Sequence, residues 1–142
     1  MRLGEQDLFQ DAAILRTLLA GAAWFPFGAW GVLPNNISAS PSYAYAGTIG
    51  RAGTIKAWYQ GWRVVTTNTG AHYWTISILR ADTGAVLLSF TTAAGAPDTW
   101  TLNSMTGLST AITTGMVDLY MVCDKTGTPG NLMLPAPAMF VT

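Results

Sequence analysis

Charge is scarce in this 142-residue chain: seven Lys and Arg stand against seven Asp and Glu, together 10% of the residues. So thin and balanced a charge creates no long-range field to gather nucleic acid, an anionic membrane surface or an acidic substrate. Cysteine occurs once, at Cys123, which excludes an intrachain disulfide and a zinc site built from several cysteines of one chain. Histidine also occurs once, at His72, so a multi-histidine metal site cannot form. No G-x-S-x-G elbow is present, and Gly28-Ala29-Trp30-Gly31 lacks the spacing and the strand–helix setting of a phosphate-cradling loop. The Glu, Lys and Arg that stabilise exposed helices are few, whereas 50% of residues are hydrophobic. That balance favours strands, and burial within an assembly. No cofactor is called for, and no residue set is nominated as catalytic.

The chain length suits one domain with a sizeable core. Its first part has a distinct pattern. Between Leu3 and Ala23, Leu8, Ala12, Leu15 and Leu19 recur at spacings of three and four, with Glu5, Asp7 and Asp11 near the start. This predicts an amphipathic helix whose acids favour its N-terminal dipole. The segment WFPFGAWGVLP that follows carries Trp24, Phe25, Phe27 and Trp30 and no charge. The acids ahead of it argue against a signal peptide, and the uncharged run from Thr17 to Leu33 is short for a span and broken by Pro26. The expectation is an extended apolar arm. Residues 1–42 are therefore read as a helix and arm, with Leu8, Leu15, Leu19, Trp24, Phe25, Phe27 and Trp30 as an assembly interface.

Beyond the polar connector NNISASPS the pattern changes to short alternating stretches between turn residues. They are TIKAWYQGWRVVTT (54–67), HYWTISILR (72–80), AVLLSFTT (85–92), TWTLNSM (99–105), MVDLYMVCD (116–124) and LMLPAPAMFVT (132–142). TGLSTAITTG, residues 106–115, reads as a connection. The spaces leave no room for crossover helices, so residues 43–142 are predicted to form an all-β antiparallel sandwich or jelly roll of about seven or eight strands. Alternation nominates Trp74, Ile76 and Ile78; Val86, Leu88 and Phe90; and Val117, Leu119, Met121 and Cys123 as core. Pro135 and Pro137 share parity, which places the last strand at an edge or interrupts it.

Trp58 and Trp62 share parity with Lys56 and Gln60 and are expected to face outward. An outward Trp pair can stack on sugar rings or anchor a subunit interface, as can Tyr43 and Tyr45; burial in the core is the competing reading.

DKTGT, residues 124–128, resembles the segment on which ion-pumping P-type ATPases form an aspartyl phosphate. Such chemistry also needs magnesium ligands, a neutralising cation and a nucleotide site. Beyond Asp124 the chain holds one charged residue, Lys125. The segment is therefore read as a turn between strands, with Gly127 and Gly130 available for positive φ and Pro129 for a corner.

YWTISIL, LLSF, DTWTL and KTGTPGNLMLPAPAMFV, taken in order over residues 73–141, resemble a jelly-roll module of tailed-bacteriophage virion proteins. The resemblance implies binding or assembly without catalysis, in capsid decoration proteins or fibre heads that are typically homotrimers. The expected partners are a major capsid protein or other virion subunits at the capsid surface, with no nucleic acid and no membrane. The alternative is a fibre head that takes carbohydrate on Trp58, Trp62, Tyr43 and Tyr45.

Overall fold

A computed structural model describes residues 23–26, 35–113, 116–135 and 137–142. The helix expected in the first part of the chain, with Leu8, Leu15 and Leu19, lies outside them, as do Phe27 and Trp30. The strand segments are β1 (Ala23–Pro26), β2 (Asn35–Ile37), β3 (Ser42–Ile49), β4 (Gly53–Val64), β5 (Tyr73–Arg80), β6 (Val86–Thr91), β7 (Thr101–Met105), β8 (Thr110–Ile112), β9 (Val117–Thr126), β10 (Leu132–Leu134) and β11 (Ala138–Val141). Every pairing between them is antiparallel.

Proline explains the division of the last strand. Pro135 and Pro137 cannot donate to a ladder, so the strand stops after Leu134 and resumes at Ala138. Of the two outcomes expected for it, interruption is the one found: β10 and β11 lie inside the sheet, with β2 and β1 on one side and β4 on the other. β7 and β8 likewise share the far side of β4, at Trp58–Trp62 and Gly53–Ile55. Counting β1 with β2, β7 with β8 and β10 with β11 leaves eight strand lines among the described residues. In chain order their arrangement is first, eighth, third, sixth in one sheet and second, seventh, fourth, fifth in the other, β3-β9-β5-β6. That wiring is two interlocked Greek keys, a jelly-roll β-sandwich.

Sheet pairing reaches further toward the N-terminus than the composition change at residue 42. The connector NNISASPS opens with β2, and the backbone of Trp24 and Phe25 belongs to β1, paired with Phe140 and Met139 of the same chain. Part of the expected arm is thus sheet. The connection 106–115 also contains a strand, β8.

The core fills as alternation requires. Trp74, Ile76, Ile78, Leu119 and Cys123 are buried from one sheet, and Ile55, Trp58, Trp62, Val64, Leu132 and Met139 from the other. Val86 departs from the expectation and is 59% exposed. A bulge is the reason: Ile78 faces Leu88, but the next residue, Leu79, faces Val86, so the strand changes face around Leu87.

Candidate functional site

DKTGT divides between strand and turn. Asp124, Lys125 and Thr126 end β9, and the turn starts at Gly127, whose φ of 65° is left-handed. The Thr128 N–H donates to His72 Nδ1 at 2.9 Å. A Cβ on Gly127 would stand 2.4 Å from that same nitrogen. Gly130 serves a different purpose from the one expected. It is not among the residues with positive φ; it lies so close to Val65 that a Cβ would approach the Val65 carbonyl oxygen to 1.5 Å. The Gly130 carbonyl accepts the Trp74 indole N–H at 2.8 Å, and Lys125 Nζ stands 5.1 Å over that indole. Asp124 is exposed, and no group of three or more His, Cys, Asp or Glu able to hold a metal occurs among the described residues. This corner joins the β9–β10 connection to β5 and to the segment after β4.

The neighbouring connections are closed in the same way. The Asn68 amide donates to the carbonyls of Thr92 and Gly95, both at 2.6 Å, and accepts from Thr92 Oγ1 at 2.7 Å. Asp98 accepts the Thr66 N–H at 3.1 Å and pairs with Arg63 at 3.4 Å. Ser40 Oγ, from the β2–β3 connection, accepts the Lys125 N–H at 2.9 Å. Four connections therefore meet at one end of the sandwich.

The outward aromatic face expected at Trp58 and Trp62 does not form. Trp58 is fully buried and Trp62 is 3% exposed. Trp58 packs on Phe90 of the opposite sheet, ring centres 5.1 Å apart, and Trp62 lies under Gly95, where a Cβ would come within 2.0 Å of the indole. Shared parity with Gln60 does not turn the two indoles outward, because Gln60 is not an outward polar residue. Gln60 is itself buried, and its amide donates to the Pro135 carbonyl at 2.9 Å, where the last strand is interrupted. A bulge at Lys56, with Ala57 opposite Phe140 and Ile55 opposite Val141, further breaks the alternation. Tyr43, by contrast, is 65% exposed. Tyr45 contributes its backbone to β3, opposite Tyr120.

What the fold exposes is a pair of flanks. Among the described residues β2 and β3 are terminal in their two sheets, and a cavity of about 340 Å³ opens between them. Its apolar wall is Ile37, Met121, Cys123 and Leu134; Ser42 and Tyr43 line it from β3. The register sets Ser42 opposite Cys123, so both turn toward the space between the sheets. Burial pushes the Cys123 thiol up to about 12, with the Asp124 charge adding to the effect, so this wall is a neutral one at physiological pH.

On the other side, among the described residues, β6 and the β7–β8 line are terminal. There Val86, Trp100 and Leu102 are exposed, Trp100 to 49%. Both flanks are nearly free of charge in sequence. From Thr17 to Gly50 no residue is charged, and from Thr83 to Val117 only Asp98 is, already engaged by Arg63 and Thr66. Charged side chains are instead concentrated on the central strands and the turns, as at Arg80 and Asp82, paired at 2.7 Å.

No family model matches the chain, and no curated protein matches it. Solved structures do. The chain is similar to the infectious bursal disease virus Gt strain structure, with 11% identity and a TM-score of 0.44 over 84% of this chain and 32% of that one. It is similar to latent dimeric PorU of Porphyromonas gingivalis, with 10% identity and a TM-score of 0.50 over 85% of this chain and 12% of that one. It is similar to a chain of the cyanophage Pam1 capsid asymmetric unit, with 15% identity and a TM-score of 0.45 over 85% and 79%. Carbohydrate-binding modules also stand among the neighbours. The chain thus spans about a third of the bursal disease virus chain and about an eighth of PorU. At these identities the likeness shows the fold alone.

Proposed function

We propose that the chain is a virion structural protein, a capsid decoration subunit that binds the capsid lattice as a homo-oligomer. The observation that carries this reading is the pair of charge-poor flanks bounded by terminal strands. Soluble monomers guard such edges with lysine, proline or a covering element, because open N–H and C=O groups recruit other strands. Among the described residues β6 and β7 carry no charged residue and no proline. Subunits that pack beside others need no such guard. The motif order over residues 73–141 supports the same reading, and the isolated Asp124 and single His72 accord with a role without catalysis.

The test is co-sedimentation with capsids assembled from the major capsid protein encoded with this chain. Saturable binding is expected, weakened by deletion of residues 1–22, a cut that spares β1. Absence of the chain from gradient-purified particles, together with no binding to assembled capsids, would end the proposal.

A second reading, a carbohydrate-binding head, is favoured by one observation: exposed Tyr43 at the cavity rim, near Asn36, Ser38 and Ser42. A tyrosine face with nearby hydrogen-bonding groups suits a sugar ring. A glycan array would show retention that Tyr43→Ala abolishes; no retention by the unaltered chain ends this reading.

A further inference from the structure

The two flanks differ in relief. One has a cavity between β2 and β3; the other has protruding apolar side chains, of which Trp100 is the largest. They lie on opposite sides of the sandwich, since each pair of terminal strands closes one side. The cavity wall joins β2 and β10 to β3 and β9, and the Trp58–Phe90 contact joins β4 to β6 on the far side.

Both features also sit toward the same end. Trp100 ends the β6–β7 connection, which Asn68 holds to the β4–β5 connection through Thr92 and Gly95. Ser38 and Ala39, on the β2–β3 connection, line the cavity, and Ser40 of that connection is held to Lys125. A second copy translated sideways and rotated about an axis along the strands would bring its Trp100 to the height of the first copy's cavity.

We infer that copies of this chain associate side by side and head to tail, Trp100 of one copy seated in the cavity between β2 and β3 of the next. This deepens the assembly reading, on which it rests, by naming the partner surface. The chemistry favours the match. The wall offers two sulfur-bearing side chains, Met121 and Cys123, and sulfur–aromatic contacts are favourable. No charged side chain lines the cavity, and Val86, Trp100 and Leu102 are themselves uncharged, so seating Trp100 there desolvates no lining charge. Pairing two identical flanks would leave the other flank of each copy open; only the head-to-tail contact uses both, and it generates a closed ring when the rotation closes.

The experiment uses two full-length variants at exposed positions, Trp100→Lys to remove the protrusion and Ala39→Trp to fill the cavity, with light scattering after gel filtration. Thermal melts and circular dichroism establish that each variant is folded. The unaltered chain is expected to form a closed oligomer, and each variant alone to be a monomer. Mixing the two should yield a heterodimer and nothing larger, because Ala39→Trp supplies an intact Trp100 and Trp100→Lys an intact cavity. A monomeric unaltered chain at millimolar concentration overturns the inference. So do variants that keep the oligomer, or folded monomeric variants whose mixture stays monomeric. Capsid co-sedimentation of folded Trp100→Lys separates the two proposals: a variant that binds capsids and still self-associates leaves the decoration reading standing and removes this one, whereas a monomeric variant that no longer binds capsids is expected if lattice binding needs the oligomer.

Discussion

The loop end around Gly130 and the β6–β7 flank have similar turn-rich, threonine-rich sequences, yet they differ in how their polar groups are employed. At the loop end Asn68, Thr92, Asp98 and His72 bond to other connections and Ser40 bonds to the end of β9, so the loops there are restrained together. At the flank, among the described residues, β6 pairs only with β5, and β7 and β8 pair only with β4. A region whose hydrogen bonds close internally contributes stability; one whose edge stays open is a surface for a partner. Substitutions at the first should therefore lower stability and leave association intact, and substitutions at the second should do the reverse.

The largest effect is expected at Gly130. Its missing Cβ would lie 1.5 Å from the Val65 oxygen, backbone against backbone, so Gly130→Ala must displace the β9–β10 connection. Loss of about 4 kcal/mol or failure to fold is expected, measured by urea denaturation. Gly127→Ala should cost less, about 2–3 kcal/mol, combining a left-handed residue at φ 65° with contact on Ala71 and His72. Equal losses at the two glycines would mean that close approach and backbone conformation are not separable here.

Next comes Asn68→Ala, which removes the donor to two carbonyls and the acceptor for Thr92 Oγ1 in a buried setting. About 2 kcal/mol is expected, with the midpoint falling and the proposed self-association unchanged. At the flank Leu102→Lys should shift unfolding by no more than about 0.5 kcal/mol, since Leu102 is 63% exposed, while it weakens self-association in sedimentation velocity. A large stability loss at Leu102, or lost association at Asn68, would break the division between the two regions.

The long strands were legible because each keeps alternation over six residues or more and ends in Gly, Asn, Asp or Pro; β4, β5, β6 and β9 all fall within a few residues of their expected bounds. β2 and β8 were not, because three-residue segments such as Asn35-Asn36-Ile37 carry no period of their own and form only against a partner already in place. Face assignment failed at bulges, which are a property of pairing and not of one strand: Val86 and Trp58 both lie beside one. The burial of Gln60 required knowing that Pro135 leaves a carbonyl facing it. The flanks were invisible for a related reason. Low charge was evident from composition, but which uncharged segments end up terminal follows only from strand order.

The smallest effect is expected at the position with the most suggestive motif. Asp124 sits opposite Thr75 in the β5–β9 ladder, exposed, with its backbone held by the sheet. Replacing the carboxylate by an amide keeps the volume and leaves the ladder untouched. It also removes the negative charge that helps raise the Cys123 thiol, but burial, the larger cause, remains. Asp124→Asn should therefore melt within about 0.5 kcal/mol of the unaltered chain and, on the proposed decoration reading, match it in self-association and capsid binding. Radiolabelled ATP should leave no phosphate on either protein. Label that appears on the unaltered chain and vanishes in Asp124→Asn would instead show that a strand end in a jelly roll can do what its sequence resembles, and the comparison of the two regions would have to be redrawn around it.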